Sequence, residues 1–315
     1  MSILRNILAY SAGKIPPKLL FNSVKPVIIN PFYHTVSDEY LPHINPLYKT
    51  KNRVDFMKDI DFLSRYFEPA GADTVYFYAL NKKLPCKNMF HLSFDDGLRG
   101  VYEIIFPLLY QKGIPATIFI NTDFVDNKNL FYRHKIALLI DKINKKDPSP
   151  AIKSEIKKLL TITYTQKEYI DKTATLLEVD FREFLENYRP YLTTEELSDM
   201  NKKGFTIGSH SIDHPRYSEI DETEQIRQTV ESCKWIKETF QESHAYFSFP
   251  FSEEGVSNSF FESVNSQTDL TFGISGMRTR NQGKHTGRID MEKRKKAQEV
   301  IHPLLIKYKA LRFNF

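Results

Sequence analysis

Cysteine is scarce: Cys86 and Cys233 are the only two in 315 residues. Their separation offers no metal-binding spacing and no framework of bridges, so thiol chemistry and a disulfide scaffold are both set aside. Long apolar runs are missing as well. No stretch approaches the roughly 20 apolar residues that a membrane-spanning helix needs. The opening residues carry Arg5 within their apolar part and reach Pro16-Pro17 without a sustained run, which is not the form of a secretory signal. The expectation is a cytoplasmic protein with no transmembrane segment. Ile3, Leu4, Ile7 and Leu8 share one side of a helix, so this segment is expected to pack on the domain or, alternatively, to touch a membrane surface peripherally. Strong charge of one sign is also absent. A net charge of +5, with 26% charged residues, is too mild to imply a nucleic-acid partner. The basic run Lys293–Lys296 and the residues from Lys307 to Arg312 read as solvated helix faces.

Aromatic and aliphatic residues are plentiful. Hydrophobic residues make up 41% of the chain, with 24 Phe and 17 Tyr, enough for a large core in a single α/β domain over 1–315. The chain is organised around Met89–Gly97, an apolar run that stops at Asp95-Asp96-Gly97. That is a buried strand ending in a turn, since Gly97 accepts backbone angles that other residues avoid. Two adjacent carboxylates there either form an ordinary surface turn or are relieved by a cation or by sharing protons. Further on, Phe205-Thr206-Ile207 leads into Gly208-Ser209-His210-Ser211-Ile212-Asp213-His214. In a helical turn the four-residue spacing would put both imidazoles on one face. One carboxylate with two imidazoles leaves an open position on a divalent metal.

Strand patterns begin at Val27, Met89, Ala116, Phe205, Ala245, Leu270 and Gly287, and helical patterns separate most of them. Helices are expected over Arg53–Phe67, Val101–Lys112 (closed by Gly113), Thr193–Lys203 (opened by a Thr193/Glu196 capping box), Glu222–Phe240 and Asn258–Ser266. Between Asn129 and Arg189 only helical patterns occur, in Leu130–Lys145, Ala151–Leu160 and Gln166–Tyr188, interrupted at Asp147-Pro148-Ser149-Pro150. That stretch reads as a helical insertion or lid. Within it, Tyr132-Arg133-His134-Lys135 reads as an exposed basic helix start. The expected fold is α/β, about seven parallel strands with helices outside. Asp95, Asp96, His210, His214, His34 and Pro250 all fall at or just beyond strand C-ends, the face on which parallel α/β sheets and barrels carry their chemistry.

Ser93-Phe94-Asp95-Asp96-Gly97 and His210-Ser211-Ile212-Asp213-His214 resemble the first two motifs of the polysaccharide deacetylases of carbohydrate esterase family 4, the nodulation-factor deacetylase group. The resemblance covers roughly Val27 to Arg288 and implies an incomplete, distorted (β/α) barrel of about seven parallel strands, which the strand patterns fit. It implies a metal-dependent deacetylase of N-acetylated oligo- or polysaccharides. Asp96, His210 and His214 would be the ligands of a divalent metal, with zinc the expected ion, and Asp95 the base that deprotonates water.

Two departures qualify it. The family's third motif is Arg-x-Pro-Tyr-like, but here Phe247-Ser248-Phe249-Pro250-Phe251 puts Ser248 where arginine is expected. Pro250 matches, with the Phe251 N–H implied as oxyanion donor, and Arg288 is the substitute arginine. The C-terminal Leu-x-His motif is absent: His302 sits in a helical context and reads as structural, and His285 lies in a polar loop. In the poly-N-acetylglucosamine deacetylase branch a Tyr-His pair ends the first strand, and Tyr33-His34 matches it. His34 is therefore the expected general acid, and Tyr33 and Pro250 the expected substrate contacts. A non-catalytic carbohydrate-binding member, an O-acetyl esterase and a deacylase of lipid-linked sugars are the alternatives.

Overall fold

The computed structural model describes residues 26–145, 150–277, 279–280, 284–292 and 296–312. The amphipathic pattern of the first 20 residues, the Asp147–Ser149 break and the run Lys293–Lys295 lie outside the described residues.

The main sheet is built from short, mostly buried strands: β2 (Pro31–Tyr33), β5 (Leu92–Phe94), β6 (Ala116–Ile120), β7 (Thr206–Ser209), β8 (Tyr246–Ser248), β9 (Leu270–Gly273), β11 (His285–Gly287) and β12 (Ile289–Asp290). All neighbours in this series pair in parallel, in the order β11-β9-β8-β7-β6-β5-β2-β12. The two outer strands belong to one segment. His285–Gly287 pairs with β9, and Ile289–Asp290 pairs with β2, so both edges of the sheet meet across Arg288. Counting that segment once gives a seven-stranded, distorted (β/α) barrel. A short antiparallel strand, β10 (Thr279–Arg280), flanks β11.

At the N-terminal ends of the strands two of them bend away and pair separately. Strand β1 (Ile28–Ile29) and strand β4 (Met89–Phe90) form a small parallel sheet with β3 (Glu68–Pro69). Asn30, at the bend between β1 and β2, donates from Nδ2 to the Gly287 carbonyl at 3.0 Å and pins the closing segment.

Helices cover the outside. Asn52 caps α1 (Arg53–Tyr66) by accepting from Asp55 N. The expected helix from Val101 starts as a π-turn, Val101–Ile105, before α3 (Phe106–Gln111). Pro107 has no N–H to give the preceding turn, which favours that irregularity. Helices α8 (Thr194–Lys202, with the Thr193/Glu196 capping box), α9 (Glu222–Phe240) and α10 (Asn258–Val264) fall close to expectation. The 14-residue α1 is joined to the β3 strand and to α2 (Ala72–Leu80), neither of which was foreseen.

Among the described residues, 129–189 contain helices and no strand: α4 (Tyr132–Asn144), α5 (Pro150–Leu160), α6 (Glu168–Leu177) and α7 (Phe181–Tyr188). The run Gln166–Tyr188, expected as one helix, breaks where Glu178 turns left-handed and Asp180 caps a new helix. These helices enclose a hydrophobic cluster of their own, with Ile136, Leu139, Ile140 and Ile170 at its centre, beside the barrel core. The C-terminal α11 (Ala297–Arg312) returns to pack near α1, and His302 is buried in it as expected. No helix is long and apolar enough to cross a membrane among the described residues.

Candidate active site

Strand β5 ends in Asp95-Asp96-Gly97, with Asp95 N bonded to the Tyr33 carbonyl at 3.0 Å. Asp96 then turns into the left-handed region at φ 71°, and Gly97 follows at φ 61° with Ile120 against it. A Cβ on Gly97 would meet Ile120 Cγ2 at 3.0 Å, so a side chain there would be both strained and crowded. The His210 loop does not form the expected helical turn. Ser211 and His214 both have positive φ, 73° and 62°. The loop is held by Gln228, whose Oε1 accepts from Ile212 N at 2.9 Å, and by Ser211 Oγ, which accepts from His214 N at 3.1 Å. Phe251, after β8, is also left-handed at φ 58°. Three site loops thus carry a non-glycine residue in a costly conformation, each at the same cavity. Strain of this kind persists where surrounding structure over-determines it.

Asp96, His210 and His214 are brought together: one ligand atom from each lies within 4.8 Å of the others, and all three residues are buried. His214 Nε2 is 3.1 Å and His210 Nε2 3.5 Å from Asp96 Oδ1. His210 Nδ1 is bonded to the Ser248 carbonyl at 2.8 Å, so the proton belongs on Nδ1 and the Nε2 lone pair faces Asp96. Burial pushes the His210 pKa down to about 4 and keeps the imidazole neutral, as a metal ligand must be. Burial opposes the Asp96 charge, but His214 and the other imidazoles outweigh it and hold the carboxyl well below its usual range. Asp96 Oδ1 is buried without a well-formed hydrogen bond. A carboxylate oxygen left over beside two inward-facing Nε2 atoms suits a divalent cation, and the donor set fits zinc.

Asp95 lies outside this trio. Arg288 grips it with two parallel hydrogen bonds, Nη1 to Oδ1 at 2.6 Å and Nη2 to Oδ2 at 2.7 Å, while Nη1 also reaches Ser93 Oγ at 3.2 Å. Burial disfavours the Asp95 charge, yet the guanidinium wins and holds its pKa below the usual value. Arg288 is buried between the faces of Phe32 and Phe119, at the point where the barrel closes. It stands where Ser248 leaves the third-motif arginine unfilled. Ser248 contributes its carbonyl, not its side chain.

His34, at the end of β2, lines the same cavity from the strand next to β5. Glu292 holds it twice, accepting from the backbone N–H at 2.9 Å and pairing with Nδ1 at 2.6 Å. Burial alone would lower the His34 pKa, but the charge and hydrogen bond of Glu292, with Asp96 and Asp95 nearby, raise it to about 10. The cavity measures about 360 Å³ and is lined by Asp95, Asp96, His34, His210, His214 and Arg288. Phe32, Tyr48, Phe131, Phe249 and Phe251 supply its aromatic walls.

Several expectations need correcting. Tyr33 does not face the cavity. Strand alternation turns it into the core, where its hydroxyl donates to Asp59 Oδ2 at 3.0 Å and its ring packs on Phe56. Pro250 is buried and does not line the cavity; its neighbours Phe249 and Phe251 do. His285 is not in a polar loop but buried in β11, with Nδ1 2.9 Å from Thr271 Oγ1. Nor is the start of α4 simply exposed: Tyr132 and His134 are buried, the Phe131 ring packs at a tilt against His214 with centroids 4.2 Å apart, and Arg133 and His134 line the cavity. Glu292 gave no sequence signal, because it meets His34 across 258 positions only through the pairing of β12 with β2.

Barrel, carboxylate pair and Asp-His-His group together define a hydrolase built like the carbohydrate deacetylases. The chain belongs to the polysaccharide deacetylase family, whose model matches residues 82–272. Among solved structures it is similar to the deacetylase PplD of Streptococcus pyogenes, solved with acetate, at TM-score 0.60 and 13% identity over 89% of this chain and 98% of that one. It is similar to IcaB of Ammonifex degensii at TM-score 0.59 and 15% identity, covering 89% and 97% of the two chains. A de-N-acetylase from Aggregatibacter actinomycetemcomitans follows at TM-score 0.53 and 14% identity, covering 83% and 93%. At such identities the likeness speaks for the fold. No protein of curated function matches the sequence.

Proposed function

We propose that this chain removes the acetyl group from an N-acetylated sugar residue of an oligo- or polysaccharide, by hydrolysis of the acetamide. The observation that carries the reading is Asp95, held in a two-point grip by Arg288 beside the Asp96/His210/His214 group, with His34 lining the same cavity. A divalent ion, zinc by its donor set, bound by Asp96, His210 and His214, would polarise the acetyl carbonyl and acidify water. Asp95 takes the proton of the attacking water. Arg288 fixes the direction of its lone pairs and keeps it ionised. The Phe251 N–H donates to the oxygen that becomes negative as the tetrahedral intermediate forms. His34, charged because Glu292 favours its protonated form, then gives a proton to the departing nitrogen, leaving acetate and an amino sugar. Phe131, Arg133 and His134, at the start of α4, form one wall of the site.

The two aspartates separate in one experiment. Asp96→Asn, His210→Ala and His214→Ala should each strip most bound metal, measured by elemental analysis of the purified protein. Asp95→Asn should keep the metal and lose acetate release from an N-acetylated glycan by about 10²–10⁴-fold. Equal metal loss from Asp95→Asn would show that the roles are exchanged. Absence of acetate release by the wild type over a panel of N-acetylated glycans would sink the reading.

A further inference from the structure

The mechanism leaves one buried imidazole of the cavity unused: His134, on the first turn of α4. Its protonation pattern is fixed by neighbours outside the cavity. The Phe131 N–H, which can only donate, is bonded to the Tyr191 hydroxyl at 3.1 Å. The same hydroxyl lies 2.7 Å from His134 Nδ1. Tyr191 is buried, and its single hydrogen has no other acceptor among the described residues. It must therefore go to Nδ1, which places the ring proton on Nε2. Burial keeps this imidazole neutral. His134 is thus held as an uncharged N–H donor.

Where that donor acts follows from the packing. The Nδ1 edge is turned to Tyr191, and Phe131 and His43 meet the ring edge-on at 5.0 and 5.2 Å. The ring still lines the cavity, with Asp96, His214 and His34 among the groups that act on it there. It shares this cavity with Asp95, Asp96, His34, His210 and His214, so a sugar held over those groups lies in the space that His134 borders. At that sugar the acetyl oxygen is taken by the Phe251 N–H and the metal site, and the nitrogen by His34. The polar groups left for a neutral donor are the ring hydroxyls.

We propose that His134 is a specificity-determining residue of this site, its Nε2–H donating to a ring hydroxyl of the sugar that carries the acetamide. The inference rests on the deacetylase reading above. A site that hydrogen-bonds a substrate hydroxyl rejects the analogue lacking it, because the buried donor is then left unpaired.

The test uses metal-loaded protein with N-acetylated chitotetraose and with methyl N-acetylglucosaminides lacking the 3-, 4- or 6-hydroxyl. Wild type should discriminate against one of the deoxy sugars by roughly 5- to 100-fold in kcat/KM. His134→Phe should lose that discrimination and about the same factor on the full sugar, while metal content and hydrolysis of a small aryl acetate stay unchanged. His134→Gln, which keeps an N–H near the Nε2 position, should recover most of the loss and covers the case in which His134→Phe fails to fold. Equal losses on all substrates, or retained discrimination in His134→Phe, would overturn the proposal. Nitrogen-15 NMR of the imidazoles gives a readout free of turnover. The Nε2–H tautomer is expected, with its shift moving when the sugar is added; an Nδ1–H tautomer, or no shift with bound sugar, would refute the donor role. If the wild type releases no acetate from any of these sugars but the Nε2 shift moves, the deacetylase reading fails and the donor role stands.

Discussion

Glu292 holds His34 at two atoms, and this pairing decides when the proposed acid is charged. Burial works to discharge His34, but Glu292 and the two aspartates overcome it, so the group stays protonated up to about pH 10. A general acid is active below its pKa and lost above it. Glu292→Gln keeps the side-chain shape but removes one of the negative charges that raise that pKa, and it leaves one acceptor oxygen for the two His34 N–H groups. The alkaline limb of kcat should therefore move to lower pH in Glu292→Gln, while the limb on the acid side stays in place. A pH profile of acetate release checks this, and an alkaline limb that does not move would remove His34 from the role of acid. Arg288 illustrates what one residue can gain from topology. It lies 193 positions from Asp95, and its guanidinium reaches that carboxylate because the barrel closes through it.

Short elements explain where sequence reading succeeded and failed. The strands of the barrel and helices such as Glu222–Phe240 were legible because apolar runs ended at Gly, Asp or Pro and apolar residues recurred at helical spacing. Two-residue strands such as Glu68–Pro69 have no period to detect, so the small β1-β4-β3 sheet was invisible. The motif residues Asp95, Asp96, His210 and His214 were legible as a set, and Arg288 as a candidate. Tyr33 was misplaced because a motif does not say which face of a strand a neighbour takes. The wall made by Phe131, Arg133 and His134 was missed because a basic helix start has the same pattern whether or not it caps a cavity. Tyr33 instead belongs to a joint between elements. Asp59 on α1 accepts from the Tyr33 hydroxyl and from Ala297 N of α11 at 2.7 Å, and pairs with buried Lys51. Removing one partner of a buried ion pair typically costs about 3–5 kcal/mol, because the other charge stays behind. Lys51→Met should lower the unfolding free energy in urea by about that much. The paired change Lys51→Met with Asp59→Asn should regain most of it, since the amide needs no counter-charge and still accepts from Ala297 N. A Lys51→Met protein as stable as the wild type would mean the joint carries little.

At the scale of the whole molecule, the fold stores neutral imidazoles in places where they cannot charge. His91 sits inside the barrel, its Nε2 2.8 Å from Thr117 Oγ1, and burial, then Arg288, push its pKa down to about 3. His134 is pushed to about 3 by burial in the wall beside the barrel, and His43 next to it is lowered as well, again chiefly by burial. The sign of the consequence follows from proton counting. Between pH 6.5, where an unfolded histidine titrates, and about pH 3, the unfolded chain binds a proton at each of these positions and the folded chain does not. Stability therefore falls as pH drops through that window, by roughly 2 kcal/mol at pH 5 for each histidine held as low as His91 or His134. Metal-free protein should show a urea midpoint that decreases steeply from pH 7 to pH 5. His91→Gln keeps a partner for Thr117 without a titrating group, so its slope should be shallower by one proton's worth. If the midpoints of wild type and His91→Gln run parallel over that range, His91 titrates alike in both states, and the acid lability of this barrel comes from elsewhere.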